Sequence, residues 1–137
     1  MPKPKPFIWP VRVYYEDTDA GGVVFYANYL KFLERARTEL LRDQGYEQDG
    51  LVKNFGIIFA VRSLSIDYLK PARFNQLLQV SAEITAFKKA SMDFCQTIHH
   101  NEQLLVAAQV KIACLDSQAF KPKAIPDFLL QSLTHEL

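Results

Sequence analysis

Hydrophobic and polar positions along the chain change period more than once. Val11, Val13 and Tyr15 alternate with Arg12, Tyr14 and Glu16, the two-residue period of a half-buried strand that leads into an Asp/Gly loop. From Asn28 the period becomes helical. Tyr29, Leu33, Ala36 and Leu40 recur at helical spacing with Phe32 beside them, while Lys31, Glu34, Arg35, Arg37, Glu39 and Arg42 fill the other face. Gly45 is a natural stop, so the pattern predicts a helix of about four to five turns with one buried stripe.

A weaker helical piece is expected from Gln48 to Asn54, and strands follow it. Leu64, Ile66 and Tyr68 alternate with Ser63, Ser65 and Asp67, whereas the apolar parity before Arg62 is shifted, which predicts a bulge at that arginine. Pro71 cannot donate to a ladder, so 70–75 reads as a turn. Leu78, Val80, Ala82 and Ile84 mark the next strand; Met92, Phe94 and Ile98 mark another. The last runs from Leu104 to Cys114. His99, His100, Asn101 and Glu102 are expected to form the connection between these last two, and a short amphipathic tail is expected from Pro126.

One long helix followed by consecutive strands with short turns argues an α+β fold, an antiparallel sheet with the helix against one face. No repeat, linker or low-complexity block divides 1–137, so one module is expected, with a frayed Pro/Lys tail over 1–7. A single helix covers only part of such a sheet. The remaining surface predicts a homodimer or higher oligomer.

Composition narrows the classes of function. The chain has 16 Lys+Arg against 15 Asp+Glu, so no global field draws in nucleic acid and any anionic ligand must be gripped locally. No apolar run reaches the ~20 residues of a membrane span, and the N-terminus lacks the apolar centre of a signal peptide, so a cytoplasmic protein is expected. Cys95 and Cys114 lie inside strand-like segments without CxxC spacing, which predicts buried free thiols and no metal site.

Motifs for nucleotide binding, zinc hydrolysis and the serine nucleophile elbow are absent. The histidines are His99, His100 and His135, the first two in an expected turn, which leaves a Ser-His-Asp triad without a base. What remains is EDTDAGG, with Asp17 and Asp19 beside Gly21 and Gly22 and just before the long helix. A carboxylate can attack a carbonyl carbon or draw a proton from water. Paired glycines let backbone turn tightly and approach a ligand, and a helix start near Tyr26 to Asn28 offers unpaired N–H groups that can hold a polarised carbonyl oxygen. The alternative is structural: the same aspartates can form Asx turns and cap the helix. Strand parity does not separate the two, since Asp17 and Asp19 point the same way.

The run YYEDTDAGGVVFYANYLKFLERARTELLR resembles the signature of the hot-dog-fold acyl-CoA thioesterases, in the 4-hydroxybenzoyl-CoA thioesterase group and its YbgC-like, Tol-Pal-associated branch. DYLKPARFNQLL and KPKAIP are similar to the same branch, so the likeness covers nearly the whole chain. The resemblance implies a long helix wrapped by a curved five-stranded antiparallel sheet, assembled as a homodimer or homotetramer with sites between subunits. It implies hydrolysis of acyl-CoA to free acid and CoA, without metal or organic cofactor. Asp19 corresponds to the family's catalytic carboxylate, with Asp17 structural. Tyr26 matches the position whose backbone N–H holds the thioester oxygen, although YbgC-like members commonly carry His there, in a YHANY-type motif.

For the rest of the substrate, Gly22, Phe25 and Tyr29 are expected near the acyl group, and with Tyr26 and Phe59 they suggest an aromatic-lined pocket for short aliphatic or aromatic acyl groups. Lys88, Lys89 and Ser91 resemble the family's loop near the CoA entrance, with Arg62, Lys70 and Arg73 as further cations. Two other functions fit the same residues: hydrolysis of acyl groups on an acyl carrier protein, and non-catalytic acyl-CoA binding or interaction with an envelope complex.

Overall fold

The computed structural model describes residues 6–134. Strand β1 (Phe7–Arg12) leads through a 3-10 turn at Tyr15–Asp17 to helix α1 (Asn28–Asp43) and the short helix α2 (Gln48–Phe55). Strands β2 (Ile57–Tyr68), β3 (Leu77–Lys88), β4 (Ser91–His100) and β5 (Gln103–Asp116) follow, and α3 (Asp127–Thr134) closes the described chain. The strands form one antiparallel sheet in the order β1-β3-β4-β5-β2. This is the α+β, five-stranded architecture that the resemblance implies.

Alternation in the strands and the helical stripe meet in one core. Leu78, Val80, Ala82 and Ile84 on β3, Met92, Phe94 and Ile98 on β4, and Val106, Ala108, Val110 and Ile112 on β5 are buried together with Phe32, Leu33, Ala36 and Leu40 of α1. Removing a fully buried ring such as Phe32 would cost about 3–5 kcal/mol. The most deeply buried polar side chain among the described residues is an amide on β4. Gln96 is fully buried, and its Nε2 donates to the carbonyls of Leu33 and Ser81 at 3.0 Å each while its Oε1 accepts from Arg37 Nη1 at 2.9 Å. The amide thereby ties α1 to β3 and β4.

Several expectations hold and some need correction. The bulge at Arg62 is present as a register shift between Val61 and Ser63. The first strand is displaced: it runs over Phe7–Arg12, with Phe7 opposite Ala82, so the tail expected over 1–7 stops short of Phe7, and 1–5 lie outside the described residues. Pro10 lies within β1, whose edge position tolerates the missing donor. His99 and His100 are the last residues of β4, and the turn itself is Asn101-Glu102, with Asn101 at φ 55°. Cys114 is buried, whereas Cys95 is only partly so. The second half of β2 is mostly exposed despite its apolar parity, because β2 is the outermost strand and β5 alone flanks it.

Candidate active site

The Asp/Gly segment folds back on itself. Asp19 N–H donates to Val23 O at 2.9 Å, Gly22 N–H to Asp19 O at 3.0 Å, and Phe25 N–H to Asp17 O at 2.9 Å, so the chain reverses within a few residues and returns to the start of α1. Gly22 takes φ +79°, the left-handed region that glycine enters without strain. The hairpin is docked on the turn before β3: Val24 N–H donates to Ala72 O at 2.8 Å and Val23 pairs with Arg73.

Tyr29, on the first turn of α1, completes the lock. It is 3% exposed, and its hydroxyl accepts the Ala72 N–H at 2.9 Å. Burial raises its pKa, against the Ala72 hydrogen bond and with a smaller push from Tyr68. Tyr29 therefore sits within the packing behind the site and positions the 70–75 turn.

The two aspartates differ in surroundings. Asp17 is 8% exposed; its Oδ2 accepts the Tyr14 N–H at 2.9 Å, and its carbonyl accepts from Asn28 Nδ2 at 2.9 Å as well as from Phe25. Its polar groups hold the loop together. Asp19 is exposed, its Oδ1 accepts the Gly21 N–H at 2.8 Å, and its other oxygen has no partner among the described residues. A free carboxylate oxygen held at a fixed place is what a base or nucleophile needs.

Helix α1 begins without a cap. Its N-cap residue is Ala27, no side chain bonds to the first turn, and the Tyr26 N–H meets no acceptor among the described residues. Neither aspartate caps it. The unpaired donors and the positive end of the helix dipole are left available to an incoming oxygen.

The surface beside this helix start is aromatic. Phe25 and Tyr26 are exposed with ring centroids 4.8 Å apart, Tyr26 meets Tyr68 edge-on at 6.4 Å, and Tyr68 lies 5.4 Å from Tyr29. The Tyr68 hydroxyl also donates to Tyr26 O at 3.3 Å, and burial, then Tyr26, raises its pKa. Sequence reasoning missed Tyr68 and Asn28; an aromatic at the end of a strand that closes on a helix start was the available signal for the first. Phe59 lies elsewhere, in a cavity under α1.

The expected coenzyme-binding residues do not gather here within one chain. Lys88 ends β3, Lys89 is in the exposed turn after it, and Ser91 is buried at the start of β4. The Asp19 hairpin docks beside the start of β3, and that strand runs roughly 35 Å at ~3.3 Å per residue, so the lysines stand at the sheet's far end. Arg62 is exposed on the β2 bulge, while Lys70 and Arg73 lie near the hairpin. Among the described residues no cluster of His, Cys, Asp and Glu could hold a metal, and no helix is long and apolar enough to cross a membrane.

Comparison with known proteins gives consistent matches. Residues 21–107 match the family profile described as the Thioesterase superfamily. "Acyl-CoA thioester hydrolase YbgC" of Escherichia coli O6:H1 is 46% identical over 88% of this chain and 90% of its own length. "Acyl-CoA thioesterase YbgC" of Haemophilus influenzae is 45% identical over 94% of this chain and 95% of its own. Among solved structures, the "Probable Thioesterase" of Bartonella henselae superposes with a TM-score of 0.86 at 36% identity, covering 89% of this chain and all of that one.

Proposed function

The chain belongs to the thioesterase superfamily, among its YbgC acyl-CoA thioester hydrolases, and from that membership we propose that Asp19 is the carboxylate that drives cleavage of an acyl-CoA into a free acid and CoA. The observation that carries this reading is the pairing of a part-free Asp19 carboxylate with an uncapped helix start in one hairpin.

The chemistry follows from the two halves. Water's oxygen ends on the acyl carbon, the C–S bond breaks, and the sulfur leaves as the thiol of CoA. Asp19 promotes the addition either by taking the proton from water or by attacking the carbonyl carbon itself to form a mixed anhydride that water then opens; both routes use the oxygen left free by Gly21. As the carbonyl carbon becomes tetrahedral its oxygen gains negative charge, and the Tyr26 N–H at the start of α1 stabilises it, a donor that survives the exchange of His for Tyr because it belongs to the backbone. Phe25, Tyr26 and Tyr68 form an aromatic wall beside Asp19's hairpin, suited to short-chain or aromatic acyl groups.

The coenzyme grip requires a second copy. Strand β2 is an edge with one free side, and Val61 on it is 53% exposed. Antiparallel pairing of two β2 strands across a two-fold axis turns the second chain end for end. Its Lys88, Lys89 and Ser91 then lie toward the Asp19 end of the first, so the dimer assembles what one chain separates.

Thiol release measured across a panel of acyl-CoAs, from short aliphatic through benzoyl to long-chain, tests the reading. Release from the short-chain or aromatic members is expected; no release from any member overturns hydrolysis and leaves binding as the function.

A further inference from the structure

Two pieces of chain must be held at a fixed spacing for the reaction proposed above: the arm after Tyr15–Asp17, which carries Asp19, and the peptide before α1, whose Tyr26 N–H faces the developing oxyanion. One residue touches both. Asn28 is the first residue of α1 and is 9% exposed. Its Nδ2 donates to Asp17 O at 2.9 Å, and its backbone N–H donates to Phe25 O at 2.8 Å.

The backbone bond sets the direction of the oxyanion donor. Phe25 C=O and Tyr26 N–H belong to one trans peptide and so point opposite ways. With the carbonyl turned onto Asn28, the Tyr26 N–H faces away from the first turn of α1 and meets no acceptor among the described residues. The side-chain bond sets the other arm. Asp17 O, two residues before Asp19, accepts from Phe25 N–H as well, so Asp17, Phe25 and Asn28 form a closed ring of three hydrogen bonds. From that ring the hairpin continues through the pairing of Thr18 with Val24 and of Asp19 N–H with Val23 O.

The residue type matters. A polar residue at a helix start ordinarily caps the first turn, but no side chain caps α1, and the Asn28 amide is turned to Asp17 instead. A carbonyl oxygen needs a donor. Asparagine supplies an NH₂ there, whereas an ionised aspartate of the same shape can only accept.

From this geometry we propose that Asn28 is a positioning residue for thioester hydrolysis, whose buried amide sets the spacing between the Asp19 carboxylate and the Tyr26 N–H. The proposal rests on the roles given above to Asp19 and Tyr26. A misplacement of about 1 Å in a catalytic group can lower the rate by ~10²-fold, so loss of the tie acts on the chemical step.

Steady-state kinetics on Asn28→Ala and Asn28→Asp, expressed per folded protein, test this. Both variants lack the donor to Asp17 O and are expected to lose kcat by about tenfold to a hundredfold with KM within about twofold of the wild type. Should Asn28→Ala fail to fold, Asn28→Asp carries the test, since it keeps the shape and a carboxylate suits a helix start. A merely structural residue would lower the melting temperature and leave kcat per folded protein unchanged. That result, or an Asn28→Asp protein with wild-type kcat, overturns the proposal. Asp19→Asn assayed in parallel separates the two levels: near-normal turnover there removes the role of Asp19 and the proposal with it, whereas an inactive Asp19→Asn beside a fully active Asn28→Ala removes the positioning role alone.

Discussion

The Oδ1 of Asp19 accepts the backbone N–H of Gly21 at 2.8 Å, and a Cβ added at Gly21 would stand 3.2 Å from that same oxygen. A side chain at the residue that orients the carboxylate would thus crowd the oxygen it holds. Gly21→Ala forces the carboxylate to shift by a few tenths of an ångström, with no positive φ to violate, so a loss of kcat of about tenfold or more with little change in melting temperature is expected. Gly22→Ala should behave in the opposite way. Its Cβ meets nothing within 4 Å, but φ +79° costs a side-chain residue about 1–2 kcal/mol, so stability falls and the folded enzyme keeps most of its turnover. Thermal denaturation alongside steady-state kinetics on the two variants separates the effects.

Tyr29 and Ala72 give a structural counterpart. Tyr29→Phe leaves the buried Ala72 N–H without its acceptor, which should cost about 1–3 kcal/mol in chemical denaturation. A variant as stable as the wild type would mean that the Ala72 N–H finds another partner.

If Lys88 and Lys89 grip CoA phosphates, replacing both with Ala removes binding common to ground and transition states. KM should then rise while kcat stays close to normal, and the salt dependence of KM should weaken. Because the lysines and Asp19 lie at opposite ends of β3, mixing the Lys88→Ala/Lys89→Ala protein with Asp19→Asn and allowing subunits to exchange should restore roughly a quarter of wild-type activity at low substrate, from the intact site of each hybrid dimer. Activity equal to the unmixed average would place each site within one chain.

Burial pushes the Cys114 thiol from its ordinary value of 9.0 up to about 11, against a small opposing pull from Lys123. Between those two values the folded chain keeps a proton that the unfolded chain has lost. The contribution is therefore complete below about pH 9 and is lost as pH rises toward 11, by on the order of 2 kcal/mol. Unfolding free energies measured from pH 8 to 11 should fall more steeply for the wild type than for Cys114→Ala; parallel curves would remove Cys114 as the cause. Tyr29 and Tyr68 titrate in the same sense in both proteins and do not affect the difference.

What could be read from the sequence depended on how locally each feature is determined. The α1 stripe and the Arg62 bulge follow from spacing along one stretch, and both are present. The first strand begins earlier than the alternation at Val11, Val13 and Tyr15 suggests, because its ends are set by pairing with β3, from Phe7 opposite Ala82 to Arg12 opposite Leu77, a property of the whole sheet. At the site, side-chain parity gave Asp17 and Asp19 the same status. The 3-10 turn at Tyr15–Asp17 breaks that parity, burying one carboxylate under the Tyr14 N–H and leaving the other in the open. Tyr68 and the separation of Lys88 from Asp19 depend on contacts between residues far apart in the chain, which no local pattern encodes.

The role of Asp19 is decided by kcat for Asp19→Asn on the best acyl-CoA, with Asp17→Asn assayed beside it. Asparagine keeps the shape and can still accept the Gly21 N–H, but it lacks the charge needed for proton abstraction or attack, so kcat should fall by at least ~10² to 10⁴ with KM little changed. Asp17→Asn should lose about 1 kcal/mol of stability through the weakened Tyr14 contact and retain most of its turnover. Near-normal kcat in Asp19→Asn, or a dead but folded Asp17→Asn, would contradict the assignment.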